Sequence, residues 1–474
     1  MSNNSPMMHR VKRGRFNRRL PSLPRKGRIR FVFAVLLVFG IVRIGPPLVR
    51  RFELPALVSA RDTSTDTSGV LTGTTKKKLK KALPVDINAL LLSHPEYVTE
   101  NSLPVFDGRD SLTLYTSIDS TLQAYLFRLI SRYHPLYGGI VALDPVSGRI
   151  LALVSYTGDS MPEPEGNICL NASFPAASVY KTITAAAAIE LAGFSAACSV
   201  QHRGRSHTLY HSQLKRELDW SVDLTFAQAY SRSINAVFGR IGIYELGSAK
   251  LLDISHRFGF NRSLPGELSC AVSRVFTPDS TFELAELASG FNQRTTISPL
   301  HGALIAAGIS QKGLMPVPTF IDSIVRNRDH TVSYLRNSQS WLNPVRAATA
   351  LELQKMMYSV VRYGTAAKQF RTLRNSHWFD EFTYGGKTGS VDKDGVGRVD
   401  WFIGYAVHPQ KNDERIAIGA VTVHGEYWTV HSSYLAAEAI RTYLKSVHKR
   451  KAAREKMLAD AAAADTSAAS TATP

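Results

Sequence analysis

Ser178 and Lys181 stand three residues apart in the stretch Phe174-Pro175-Ala176-Ala177-Ser178-Val179-Tyr180-Lys181. That stretch runs straight into an alanine-rich segment, Thr182 to Ala192, and stops at Gly193. Residues three apart on a helix share a face, so the amine of Lys181 reaches the hydroxyl of Ser178. A serine hydroxyl is a weak nucleophile until a neighbouring base takes its proton. A lysine desolvated in a pocket can have its pKa lowered far enough to be that base. The pair therefore points to covalent chemistry through a serine ester.

The elements that must position this pair can be read from spacing and breakers. The alanine run has high helix propensity, Pro175 suits a helix entry and Gly193 a stop. Upstream, Leu112 to Ile118 alternates as a strand and Ser120 to Arg132 reads as an amphipathic helix. Gly139 to Leu143 and Arg149 to Val154 are two apolar runs joined by the turn Asp144-Pro145-Val146-Ser147-Gly148, a hairpin. Thr225 to Leu246 reads as one broadly amphipathic helix enclosing Ser231-Arg232-Ser233-Ile234-Asn235. Phe282 to Ser289, Pro299 to Ala307 and Ala347 to Arg362 are further helices. The last third turns to strands: Phe382 to Val391, Trp401 to Val407 and Ile416 to Val423, an antiparallel meander. A helix from Ser433 to about Val447 closes the domain. The pattern predicts an α/β (α+β) fold, an antiparallel sheet of about five strands flanked by helices.

Charge is distributed unevenly. Of the formal net charge of +19, residues 1–30 contribute ten Lys and Arg with no acid, and the chain from Ala82 onward carries only +3. The basicity belongs to the tail and linker, which argues against a nucleic-acid-binding domain. After Arg30 comes the apolar run Phe31 to Val42, extended past Arg43 by Ile44 to Val49; with Arg43 snorkelling, the run approaches the roughly 20 residues that span a bilayer. Basic flanks stay cytoplasmic, so everything after Val49 is expected to be exported. Val58-Ser59-Ala60 lies too far beyond the apolar run to favour a cleaved signal. The expected organisation is a basic cytoplasmic tail (1–30), a transmembrane anchor (31–49), a linker (50–111), a catalytic domain (112–449) and a disordered tail (450–474). Cys169, Cys198 and Cys270 are too few and too scattered for structural zinc or a disulfide framework, although Cys198 and Cys270 can pair in an oxidising compartment. His211, His301 and His424 have no ligand-like spacing, and Ser231 reads as a helix-surface residue.

Ser-x-x-Lys at Ser178, Ser-x-Asn at Ser233 and Lys-Thr-Gly at Lys387, in that order and with those gaps, resemble the three motifs of penicillin-binding protein transpeptidases and serine β-lactamases. Ile140 to Gly148 with Arg149-Ile150-Leu151-Ala152 resembles the hairpin that opens transpeptidase domains. Thr295-Thr296-Ile297-Ser298-Pro299-Leu300, Gly364-Thr365-Ala366 and Trp401-Phe402-Ile403-Gly404-Tyr405 match segments that flank the motifs. The resemblance covers about Leu112 to Lys449. Ala177 stands where glycine is common, no glycosyltransferase domain is found, and Arg50 to Asp110 is short for the pedestal of division and elongation enzymes.

The resemblance implies a D,D-transpeptidase that needs no cofactor. Ser178 attacks a D-alanyl-D-alanine carbonyl, with Lys181 as base. Ser233 relays a proton to the leaving amine, and Asn235 holds Lys181 and the substrate amide. Lys387, Thr388 and Ser390 bind the terminal carboxylate, Gly386 and Gly389 leave the strand edge open, and the amides of Ser178 and Ser390 form the oxyanion hole. The implied partners are peptidoglycan stem peptides, β-lactams, the inner membrane and cell-wall synthesis proteins, with the catalytic domain in the periplasm. A D,D-carboxypeptidase or β-lactamase, passing the acyl group to water, and a non-catalytic scaffold or β-lactam sensor are the alternatives.

Overall fold

In a computed structural model of the chain, the described residues are 101–470 without Asp107, Gly108 and Glu165. The basic tail, the anchor expected at 31–49 and most of the linker lie outside them. Among the described residues no helix is long and apolar enough to cross a membrane.

The fold begins ten residues earlier than the sequence suggests. Strands β1 (Ser102–Phe106) and β2 (Ser111–Thr116) form an antiparallel hairpin, with Leu103 opposite Leu114 and Val105 opposite Leu112. Leu103, Leu112 and Leu114 are buried; the alternation in Ser102–Phe106 is too short to stand out from a linker. Helix α1 (Ser120–Tyr133) follows, its first turn capped by the Asp119 carboxylate. Next comes the hairpin β3 (Tyr137–Leu143) and β4 (Ile150–Thr157), where Asp144 accepts from the amides of Val146 and Ser147 to shape the expected turn.

The helical part follows: α2 (Lys181–Ala192), α3 (Phe226–Ser231), α4 (Asn235–Ile241), α5 (Gly247–Arg257), α6 (Thr281–Ser289) and α7 (Pro299–Ser310). Residues Lys181 to Ile189 of α2 are buried all round, as expected of a small-residue helix in the middle of a core. Gly193 ends it in the left-handed conformation, φ 71°. β5 (Ile321–Arg326) and β6 (Val332–Leu335) extend the first hairpin into a four-stranded sheet of order β1-β2-β5-β6. Helix α8 (Ala347–Arg362) then leads to β7 (Thr383–Lys393), β8 (Gly397–Val407), β9 (Arg415–His424) and the terminal helix α9 (Ser432–Ser470).

The main sheet is antiparallel throughout, order β7-β8-β9-β3-β4, so the C-terminal meander closes onto the opening hairpin by pairing Ala417–Val423 with Leu143–Tyr137. α7 lies directly on it: a Cβ at Gly419 would sit 2.0 Å from the Pro299 carbonyl oxygen. α1 and α9 pack together, Tyr133 edge-on to Tyr434 at 6.0 Å. The expected five-stranded α/β architecture is thus present.

Four readings are corrected. Thr225 to Leu246 is not one helix: α3 ends at Ser231, the chain turns at Arg232–Ile234, and a π-helical turn, Gly242–Leu246, follows α4. Ser231 is buried rather than superficial, its hydroxyl donating to the Gln228 carbonyl and its own carbonyl accepting from Thr365 N. All three cysteines are free: Cys198 Sγ accepts from Ser195 N, and Cys270 Sγ lies 3.3 Å from Ser298 Oγ. Finally, α9 does not stop near Val447; helical backbone continues to Ser470 through the stretch read as a disordered tail, in keeping with its alanine content.

Candidate active site

The sheet edge β7 and the N-terminal turn of α2 meet around Ser178. Residues Phe174–Pro175 pair with Thr296–Ile297, Pro175 O accepts from the Trp401 indole N–H (2.8 Å), and Ala176 N donates to Thr295 O. The chain then tightens into a 3-10 turn, Ala177–Tyr180, that delivers Lys181 as the first residue of α2.

Lys181 is fully buried, and its Nζ lies 2.8 Å from Ser178 Oγ, 2.6 Å from Asn235 Oδ1 and 2.6 Å from the Ser289 carbonyl oxygen. Burial first, and the Lys387 charge second, hold its pKa well below the ordinary lysine value. Two of the three neighbours are pure acceptors. A neutral amine therefore spends both N–H groups on Asn235 and Ser289 and turns its lone pair to the Ser178 hydroxyl. That is the arrangement a general base requires.

Lys387, on β7, is also fully buried; its Nζ donates to Ser233 Oγ (2.9 Å) and to the Thr388 carbonyl (2.6 Å). Burial pushes its pKa down to about 7. Ser233 reaches it from the break between α3 and α4, in the left-handed conformation at φ 56°, with its N–H donating to Tyr230 O. Thr388 and Ser390 lie on the accessible side of the strand, and Thr388 Oγ1 is 2.5 Å from Thr365 Oγ1. Gly389 is a spacer with a purpose: a Cβ there would meet Val179 N at 3.0 Å and Ser178 N at 3.1 Å. Only glycine lets the strand approach the Ser178 turn so closely.

Of the nine residues given site roles from the sequence, Gly386 instead faces the Phe402 ring, where a Cβ would lie 2.1 Å away, and seven lie within this set of contacts. The ninth, Ser390, lines the same cleft of about 210 Å³ with Ser178, Ser233, Asn235, Thr388 and Gly389. The sequence reading missed other walls: His207, Gly290, Phe291, Asp400, Trp428, His431 and Ser433, while Thr365 had been noticed only as a flanking residue. Asp400 is the most legible of these in retrospect, since it stands opposite Ser390 in the β7–β8 register. Burial pushes its carboxyl up to about 7, and Oδ2 accepts from Ser432 N at 2.7 Å. The Ser289 carbonyl carries no side-chain signal at all. His301 donates to or accepts from nothing in the cleft; its Nε2 meets the Phe258 carbonyl at 2.8 Å. Among the described residues no cluster of three or more His, Cys, Asp or Glu is placed to hold a metal.

Ala177, where glycine is common, adopts φ 49° and is buried. Left-handed backbone costs an L-residue roughly 1–2 kcal/mol, whereas glycine loses about 0.4–1 kcal/mol more chain entropy on folding. Deleting the buried methyl costs about 0.8 kcal/mol more, so the terms nearly cancel and Ala177→Gly is expected to change stability by less than about 1 kcal/mol, measured by chemical denaturation. Gly290 faces this turn: at φ 66°, its Cβ would lie 2.0 Å from the Ala177 carbonyl oxygen.

The family model of the penicillin binding protein transpeptidase domain matches residues 138–445. The peptidoglycan D,D-transpeptidase PbpA of Mycobacterium tuberculosis is 27% identical over 284 residues, 52% of this chain and 57% of that protein. Stage V sporulation protein D of Bacillus subtilis is 22% identical over 331 residues, 63% of this chain and 48% of that one. The chain spans about half the length of these curated relatives. Among solved structures, the imipenem acyl-enzyme of M. tuberculosis penicillin-binding protein A superposes with a TM-score of 0.58 at 22% identity, covering 69% of this chain and 78% of that one. The D,D-transpeptidase domain of a peptidoglycan glycosyltransferase from Eggerthella lenta gives 0.57 at 22%, covering 70% and 83%. With a match over most of its described length, and with the serine, lysine and glycine strand assembled on that fold, this chain belongs to the penicillin-binding protein transpeptidase domain family.

Proposed function

We propose that this protein is a serine D,D-transpeptidase that cross-links peptidoglycan stem peptides and is acylated by β-lactams. The single observation that carries this reading is the Lys181 amine, desolvated and 2.8 Å from Ser178 Oγ, with its other neighbours arranged to leave the lone pair for the hydroxyl proton. Ser178 Oγ attacks the carbonyl carbon between the two D-alanines while Lys181 takes the proton. The developing oxyanion lies between the N–H groups of Ser178 and Ser390, the residue that follows Gly389, at which a Cβ would crowd Ser178 N at 3.1 Å. Collapse breaks the peptide bond, and the departing D-alanine amine receives a proton through Ser233. Lys387, with Thr388 and Ser390, holds the terminal carboxylate. The amine of a second stem peptide then attacks the ester, forming the cross-link and returning Ser178 to its alcohol. Asn235 holds the base and faces the substrate amide.

The same reading places the catalytic part outside the cytoplasmic membrane, in the periplasm. Residues 1–30 form a basic cytoplasmic tail, 31–49 a single-pass anchor, and the chain beyond Val49 is exported; the positive charge ahead of the apolar run supports this orientation. The inner membrane and cell-wall synthesis proteins are its proposed partners.

The test is covalent. Benzylpenicillin is expected to add its whole mass to the protein, because its leaving amine stays tethered, and peptide mapping is expected to place the adduct on the fragment containing Ser178. An adduct on another fragment, or no adduct after prolonged incubation, would remove Ser178 from this role.

A further inference from the structure

Cross-linking consumes an amine that water keeps protonated. With a pKa of about 10.4, fewer than about one alkylamine in 10³ is the neutral nucleophile at neutral pH. Attack by the neutral amine forms a C–N bond, breaks the bond from the carbonyl carbon to Ser178 Oγ and returns one N–H proton to that oxygen through Ser233 and Lys181. The further proton of an ammonium ion needs another acceptor. Lys387, as a cation bound to Ser233 Oγ at 2.9 Å, has no lone pair to offer, and once D-alanine has left its charge opposes the entry of a second cation.

On the proposed reading, the D-alanine amine leaves by way of Ser233. The incoming amine makes the same kind of bond to the same carbonyl carbon, so it takes the same place in reverse. His207 is a wall of this cleft, with Ser178, Ser233 and Asn235, and acylation makes no use of it. Its position is built. Asn235 N donates to the Ser206 carbonyl at 2.7 Å, tying the preceding residue to the start of α4. On its other side Leu209 and Gln213 are buried, and the Gln213 side chain accepts from Tyr210 N at 2.9 Å and donates to Arg203 O at 3.0 Å.

The groups that act on the His207 ring are the Ser233 backbone, Lys181 of α2 and Lys387 of β7. Partial burial first, and the two lysine charges after it, hold its pKa below the ordinary histidine value against the upward pull of the Ser233 contact. The imidazole is therefore neutral at neutral pH, with a lone pair to offer, and it is exposed enough to return a proton to solvent. The other titratable walls, Asp400 and His431, lie 3.9 Å apart beside Ser390, the residue opposite Asp400 in the β7–β8 register, and not beside Ser233.

We propose that His207 is the base for the acceptor: its imidazole takes the extra proton from the incoming ammonium beside Ser233 and passes it to solvent, leaving a neutral amine against the Ser178 ester. The proposal rests on the transpeptidase reading. It adds a catalytic residue to the second half of that reaction.

The test gives the full-length protein one N-acyl-D-Ala-D-Ala donor and either of two acceptors, Nα-acetyl-lysine amide or hydroxylamine, whose nitrogen is already neutral at neutral pH. Mass spectrometry reads the ratio of transfer product to hydrolysis product. Both come from the same acyl-enzyme, so any change in acylation cancels. His207→Ala is expected to lower the ratio about 10²-fold for the lysine amine, the lower end of what a positioned base contributes, and less than about threefold for hydroxylamine. Imidazole added to the buffer should restore lysine transfer in His207→Ala, a rescue that a purely structural role would not show. An unmoved ratio, equal losses with both acceptors, or a wild-type protein that only hydrolyses the donor would each overturn the proposal while penicillin acylation persists. Failure of benzylpenicillin to acylate the wild-type protein would instead count against the transpeptidase reading, and the proposal would fall with it.

Discussion

Lys181→Met is expected to slow acylation by benzylpenicillin about 10²–10⁴-fold, the usual contribution of a positioned general base. Methionine nearly matches the lysine chain in length and suits a fully buried site, so the loss would fall on chemistry rather than folding. Stopped-flow or gel-based labelling rates check the magnitude. The pH profile checks the cause. Lys181 acts as base only when neutral, so acylation should rise with pH as this amine loses its proton, and its lowered pKa moves that rise to well below the ordinary lysine range. Lys387 acts as a cation, so acylation should fall as pH passes its pKa, pushed down to about 7. The second-order rate constant reports both groups in the free enzyme. In Lys181→Met the rising limb should vanish and the falling limb remain. A wild-type profile that persists in the variant would show that another group takes the proton.

Gly389→Val is expected to lower the acylation rate by about 10²-fold, comparable to losing one oxyanion-hole donor. Even the first carbon of the new side chain would lie 3.1 Å from Ser178 N and 3.3 Å from the Ala176 carbonyl oxygen, backbone atoms held by Pro175 against Trp401 and by Ala176 against Thr295. The strand must therefore move away from the nucleophile turn, and Ser390 N moves with it. Displacements of about 1 Å in a reacting geometry are enough for losses of this size. The variant should still fold, since β7 is an edge strand of the sheet, and its Lys181 pH limb should be unchanged. A wild-type acylation rate in a folded Gly389→Val protein would separate the strand edge from the chemistry.

Some of this was already contained in the order of the residues. The Ser178–Lys181 pair is local: three residues apart on a helical turn, their side chains meet whatever surrounds them. The same holds for the Asp144–Gly148 turn, the Gly193 stop and the alternation of the last three strands, each of which depends on a few neighbouring residues. The opening hairpin, the C-terminal meander and the order of the three motifs were legible for that reason.

The rest depended on contacts between distant parts of the chain. Ser233 meets Lys387 because α3 breaks at Arg232 and the chain turns left-handed, a conformation that an amphipathic pattern across Thr225–Leu246 does not announce. Lys181 is desolvated and held beside Ser178 only because the Ser289 carbonyl, more than a hundred residues away, accepts a hydrogen bond from its amine and the helices around α2 exclude water. Spacing places an amine beside a hydroxyl; desolvation, which sums over every element packed against it, sets whether that amine can take a proton. Ser231, Asp400 and the cysteines follow the same rule: their identities were plain in the sequence, but burial and partners exist only once the two halves of the sheet have closed.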